Sequence, residues 1–94
     1  MDTRILNRMR EKVRRRQYVM TLHADEEMDD DGLTIFDIES GILTGTIIER
    51  QKDRKTKEQK YLVRGKTVDG AKIIVVVAKF GRIGKLVVLT VYVE

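Results

Sequence analysis

The sequence predicts an α+β fold in which N-terminal helices pack on one face of a four- to five-stranded antiparallel sheet. Three observations predict it. Apolar residues recur at helical spacing as far as Gly45; from Thr46 onward they alternate or run on as in strands; and Asp69-Gly70 stands between two such runs, a strong hairpin signal.

Residues 3–16 read as an amphipathic helix, with Ile5, Leu6, Met9 and Val13 on one stripe and arginines around it. Asp2 or Thr3 can cap its start, and the late arginines suit its negative C-terminal end. Tyr18 to Thr21 is a short strand after a break at Gln17. A second helix runs from Leu22 or His23 to Asp31 and is closed by Gly32. A third begins behind Thr34, an N-cap with Asp37 three residues on, close to a capping box. Its apolar residues Ile35, Ile38, Ile42 and Leu43 share a face, and Gly45 stops it.

The strands follow. Thr46 to Arg50 is the first, and the loop from Lys52 to Glu58 is charged or polar throughout. Tyr61 to Val68 and Ala71 to Lys79 flank Asp69-Gly70, and a turn from Gly81 to Lys85 leads into Leu86 to Val93. A two-residue turn sets Val68 opposite Ala71, so Lys66 faces Ile73, Arg64 faces Val75, Leu62 faces Val77 and Lys60 faces Lys79. One face then carries Tyr61, Val63, Ile74, Val76 and Ala78, suited to packing on helices. The other carries Lys60, Arg64 and Lys66. In the last strand Val87, Leu89, Val91 and Val93 form the apolar set, with Thr90 and Tyr92 on the opposite face. A sheet with helices on one side and Lys, Arg, Thr and Tyr on the other is a candidate RNA platform.

Ninety-four residues make one domain, 1–94. Without cysteine there is no disulfide framework and no thiolate zinc site, and a single histidine argues against a zinc enzyme; no metal or cofactor is expected. No apolar run spans a bilayer and the N-terminus lacks the apolar core of a signal peptide, so a cytoplasmic protein without a membrane partner is expected. The net charge of +4 and the pI near 9.5 favour an anionic partner. Basic residues crowd the first sixteen positions and return from Arg50 to Lys66, whereas the stretch from Gln17 to Glu49 contains acids and no Lys or Arg. The plainer alternative is a set of solvated helix faces pairing with one another.

Three stretches carry a resemblance: LHADEEMDDDGLTIFDIESGIL, YLVRGKTVDGAKIIVVVA and LVVLTVYVE. They resemble an uncharacterised bacterial and archaeal family of small proteins, registered only as a domain of unknown function. The pattern is a His-initiated helix with an acid and a Met (His23, Glu27, Met28), a G-x-I-I-E strand (Gly45 to Glu49), a Y-L-V-x-G-K-T-x-D-G hairpin and a terminal T-V-Y (Thr90 to Tyr92). The resemblance covers about residues 17–94. That family is similar to the RelE-like and MqsR-like messenger-RNA interferases, toxins of toxin–antitoxin pairs in the barnase-like group of ribonucleases. It implies a RelE-like fold, RNA as substrate, ribosome-associated messenger RNA among the candidates, and a small antitoxin protein as partner. This chain departs from the pattern twice. Gln51 stands where a tyrosine often follows the I-I-E-R stretch, removing one candidate hydroxyl, and the following loop is lysine-rich instead of proline-containing.

A metal-independent ribonuclease of this kind activates the ribose 2′-OH, stabilises charge on the phosphorane and protonates the leaving 5′-oxygen. His23 is the only side chain whose ordinary pKa lies near neutrality, and serves as general acid or base; otherwise it is a helix-start residue bonded to backbone. Lys66 stabilises phosphorane charge, unless it and Arg64 merely keep a sheet face soluble. Tyr92 protonates or orients, against the commoner half-buried packing role. Glu49 is a candidate base beside Arg50, or half of a surface pair of little worth. The catalytic set is therefore His23, Lys66, Tyr92 and Glu49, and the RNA-binding set Arg50, Lys60, Arg64 and Thr90. Tyr61 belongs to the core, and the acidic run Asp25 to Asp31 lacks calcium-loop spacing. No Ser-His-Asp order, P-loop or dinucleotide glycine pattern is present.

Two functions of different class result: a toxin that cleaves messenger RNA, and a non-catalytic protein- or RNA-interaction module that keeps the fold. DNA-groove binding by the first helix has little support, because arginines surround its apolar stripe and no helix-turn-helix partner exists.

Overall fold

Burial of a narrow apolar stripe explains the first helix. In the computed structural model, which describes residues 3–94, α1 (Thr3–Arg14) buries Leu6, Met9 and Val13, turns Arg10 inward to the Gly45 carbonyl (2.9 Å) and leaves Arg4, Arg8 and Arg14 exposed. The chain then forms β1 (Tyr18–Met20), α2 (Leu22–Asp30), α3 (Ile35–Thr44), β2 (Thr46–Lys52), β3 (Gln59–Lys66), β4 (Ile73–Phe80) and β5 (Leu86–Val93). Asp2, the alternative cap of α1, lies outside the described residues. Helix α1 ends two residues earlier than its arginines suggest. Arg16 sits in the left-handed region at φ 57, while Gln17 N donates to Lys12 O (2.8 Å) and Arg16 N to Val13 O (3.0 Å), closing the helix in a Schellman turn.

The five strands form one sheet in the order β1-β5-β4-β3-β2. All pairings are antiparallel except β1 with β5, so the sheet is mixed and not purely antiparallel. That pairing is parallel because α1 and β1 come before the meander and β1 returns alongside the last strand, where Leu86 N donates to Gln17 O at 2.9 Å. The β3–β4 register agrees with the pattern reading: Lys66 faces Ile73, Arg64 faces Val75 and Leu62 faces Val77. The connection is longer than a two-residue turn. Thr67 N bonds Lys72 O (3.0 Å) and Gly70 N bonds Thr67 O (2.9 Å), with Gly70 at φ 72, so residues 68–71 form the loop. A four-residue loop shares the parity of a two-residue one, which is why the register survives.

Helices cover one face only. The inner core joins Met9, Ile38 and Ile42 of the helices to Val63, Ile74, Val76, Leu86, Val88 and Val91 of the sheet. Helix α3 presses hardest. A Cβ on Gly65 of β3 would overlap the Gly41 carbonyl of α3, and one on Gly41 would stand 2.8 Å from Ile74 Cδ1. The two backbones therefore touch. Lys66 N donates to Thr44 Oγ1 (3.0 Å), and Val68 N donates to Asp37 Oδ1 (3.0 Å), so α3 is also bonded to the β3–β4 hairpin. Asp37 completes a capping box with Thr34. Bonds from the Thr34 and then the Val68 backbone N–H hold its carboxyl below the ordinary carboxylate value. Its contribution to stability is thus present above that ordinary value and fades as pH falls through the lowered one.

Two bulges alter which side chains share a face. In β2, Ile47 pairs with Val63 and Glu49 with Leu62, leaving Ile48 as the extra residue. In β5, Thr90 pairs with Val77 and Val88 with Ala78, so Leu89 is extra. The apolar set expected for the last strand is corrected accordingly. Val91 and Val93 face the helices together with Leu86 and Val88, whereas Val87 pairs with Lys79 and Leu89 packs with Leu62, Val75 and Val77 on the open face. Among the described residues no helix is long and apolar enough to cross a membrane.

The glycine contact gives a direct test. Gly65→Ala forces α3 off β3, and a cost of about 3 kcal/mol is expected, the upper end for overpacking. Urea unfolding followed by circular dichroism measures it; an unchanged midpoint would show that α3 does not sit against β3.

Candidate functional site

The open face of the sheet has an apolar floor and a charged rim. Leu62 (9% exposed), Val75 (1%) and Val77 (8%) form the floor with no helix above them. Long neighbouring side chains shield them instead. Across the sheet Tyr92, Val75, Arg64 and Thr46 make one row, and Thr90, Val77, Leu62 and Glu49 the next. Lys66 lies two residues beyond Arg64 toward the hairpin, on the same face, facing Ile73.

The cations of this face differ in what they already hold. Arg64 Nη2 is 2.5 Å from Glu94 Oε1, and Lys79 Nζ is 2.7 Å from Glu58 Oε2. Among the described residues the Lys66 ammonium has no carboxylate within ion-pair distance and is exposed. Tyr92, 41% exposed, stands one strand pair away across Val75, so that Tyr92, Arg64 and Lys66 frame a single patch. Strand spacing places β3 and β5 about 10 Å apart, a gap that a nucleotide can fill.

His23 reaches this face from its border. The strand β1 stops at Met20, and beyond it the edge of β5 would be bare; α2 fills that edge. Thr21 N donates to Val88 O (3.0 Å) and Thr21 Oγ1 to Leu89 O (3.0 Å), while the same hydroxyl accepts from Ala24 N and so caps α2. One turn further on, Glu27 Oε1 accepts from Val91 N (3.2 Å) and from the Thr90 hydroxyl. His23 lies on the same stripe, four residues earlier, with Nε2 3.2 Å from that oxygen. The imidazole is exposed and its Nδ1 is free of protein partners among the described residues. A carboxylate that orients one ring nitrogen while the other meets solvent is the arrangement a general acid or base requires.

The remaining expected site residues lie elsewhere. Glu49 is on the open face but on β2, three strand spacings (about 14 Å) from Thr90, and bonds its neighbour Gln51. Arg50 pairs with Tyr61 and therefore points to the helix-bearing side. Lys60 pairs with Gln51 at the far end of the open face, and Thr90 is engaged by Glu27. The structure thus brings together His23 with Thr90, and Tyr92 with Arg64 and Lys66; Glu49 is a diagonal neighbour of Arg64 but lies far from His23, and Arg50 points away from the face. Glu27 is the residue the sequence reading passed over as a site member. Its spacing from His23 was a visible signal, since residues four apart on a helix are neighbours.

Because Thr90 gives Glu27 one of its bonds, Thr90→Val leaves a half-buried carboxylate short of a donor. A loss of about 1–2 kcal/mol in urea unfolding is expected, with the fold retained; no loss would mean that this bond does not anchor α2.

No curated protein and no solved structure gives a significant match to the chain. The sequence pattern of the domain of unknown function DUF4258 matches residues 20–93, from the last residue of β1 through β5, a span that contains α2, His23, Glu27 and β2 to β5. On that match, the chain belongs to the DUF4258 family.

Proposed function

We propose that this domain is a metal-independent endoribonuclease that cleaves messenger RNA, of the kind found in RelE-like toxins and held inactive by a small antitoxin protein. The observation that carries the reading is the His23–Glu27 pair, locked to β5 through Thr90 and Val91 at the border of a face bearing Tyr92, Arg64 and Lys66. RNA can supply its own nucleophile, the 2′-OH, so the protein needs only a proton acceptor, a positive group near the phosphate and a proton donor. In this reading His23 takes the 2′-OH proton as general base, with Glu27 as its positioning residue. Tyr92, two residues along β5 from Thr90, gives the proton to the leaving 5′-oxygen or orients the substrate. Arg64 is the nearer cation of β3 and meets the charge on the phosphorane, and Lys66, two residues further from the Thr90 row, holds the neighbouring phosphate.

A second reading is favoured by two observations. Arg64 and Lys79 already hold carboxylates, and Glu49 lies far from His23. Such a face can hold RNA or a protein without cutting anything, which makes the domain an interaction module.

Cleavage of a defined messenger RNA by purified protein separates the two. The first reading expects cleavage that persists in a chelator, falls by about a hundredfold or more in His23→Ala, and keeps its chemical step but binds RNA more weakly with Lys66→Ala. Circular dichroism would confirm that each variant folds. An intact His23→Ala activity removes His23 from the site, and an inactive parent protein leaves the interaction module.

A further inference from the structure

We infer that a basic ridge built from α1 and the β4–β5 turn binds the phosphate backbone of double-helical RNA, separately from the open sheet face. Two segments far apart in sequence meet there. Arg8 lays its guanidinium over the Phe80 ring, 4.2 Å from the centroid. Lys12 extends its ammonium to the turn, within 3.9 Å of where a Cβ on Gly84 would stand. Leu86 N bonds Gln17 O, fastening the end of α1 to the start of β5. Arg8, Lys12, Arg15 and Gln17 line an open groove on this side with Glu11, and the exposed turn adds Arg82 and Lys85.

The sign of this surface is one-sided. Between Thr3 and Gln17 the single acid is Glu11, and from Phe80 to Leu86 there is none. Glu11 is itself occupied by Arg15 at 2.7 Å and Arg14 at 3.9 Å. Lys12, Arg82 and Lys85 have no carboxylate within ion-pair distance among the described residues, so their charge faces solvent.

Packing does not account for Lys12, Arg15, Arg82 and Lys85, since α1 meets the core through Ile5, Leu6, Met9 and Val13 and only Arg8 among the ridge cations lies on a ring. Clustered unpaired cations are instead suited to replacing the counterions of a polyphosphate.

The absence of stacking groups selects the double helix. Proteins hold single strands by combining cations with exposed aromatic rings. Among the described residues the rings at this surface are covered: Phe80 lies under Arg8, and Tyr61, packed edge-on against Phe80, is buried. A surface with charge and no free ring reads backbone shape, which is how duplex RNA is recognised. The choice of RNA over DNA rests on the function proposed above, whereas the duplex-binding surface does not depend on cleavage. An inactive protein that still binds duplex through the ridge would separate the two claims.

Fluorescence anisotropy tests it with an RNA duplex of roughly 16 base pairs, the matching single strand, a DNA duplex of the same sequence, and phosphatidylserine vesicles. The RNA duplex is expected to bind most tightly and to weaken steeply with salt. The pair Arg82→Glu with Lys85→Glu, confined to the exposed turn, should weaken it about tenfold or more and flatten the salt slope by about one unit per lost contact. Lys12→Glu should do the same from the helix side. Arg54→Glu with Lys57→Glu in the β2–β3 loop makes an equal change of net charge and should have little effect. Equal losses in that control, unaltered binding in the ridge variants, or a preference for single strand, DNA duplex or vesicles would overturn the inference.

Discussion

Where β1 stops after three residues, the edge of β5 must find hydrogen-bond partners or leave buried polar groups unpaired. The Glu27 carboxylate meets that need at Val91 and Thr90, and Thr21 does so at Val88 and Leu89. A bond to a charged acceptor is worth about 1.5–3 kcal/mol, more than an ordinary backbone bond. Helix α2 is short, strongly acidic and buries only Ala24 fully, so packing alone gives it little hold. Its position depends on that carboxylate, and so does the position of His23 one turn before it. The edge is thereby shielded from pairing with another chain.

The opposite constraint operates at α3. Backbone contact at Gly41 and Gly65 brings the helix so near that the inner face is filled by Ile38, Ile42, Val63, Ile74 and Val76. With all three helices committed to that side, the other face stays open. Its floor is apolar because β4 is a central strand and valines favour that environment, and its rim is charged because Arg64, Lys66 and Lys79 must reach solvent. Tyr18 illustrates how the inner side closes. Burial, and then its bond to Glu39 of α3, raises its phenol well above the usual value, keeping it a neutral donor that ties β1 to the helix.

Much of this was legible in the residues. Strand periodicity gave the pairing of Lys66 with Ile73 and Arg64 with Val75, because side chains alternate strictly and an even loop preserves parity. The capping box of Thr34 and Asp37 was equally plain, since its chemistry is local. The bulge at Leu89 was not. Val87, Leu89, Val91 and Val93 alternate without a flaw, and only the need to turn Thr90 toward Glu27 while keeping Val88 and Val91 inward shows where the phase breaks. The parallel pairing of β1 escaped for a different reason, as three residues contain no information about direction. For the site, His23 and Lys66 stood out as residue types, but their separation follows from sheet order, which pattern alone does not reveal. Glu27 looked like one more solvated acid in a run of them, and its role depends on residues more than sixty positions away.

Amide hydrogen exchange at Val91 tests the central claim, that Glu27 seals the β5 edge and so fixes His23. The account predicts that Val91 exchanges slowly, like the interior amide of Val76. It also predicts that Glu27→Ala speeds exchange at Val91 by at least about tenfold, the equivalent of one lost bond of roughly 1.4 kcal/mol, while Val76 stays protected. Rapid exchange at Val91 in the parent protein, or an unchanged rate in the variant, would contradict it.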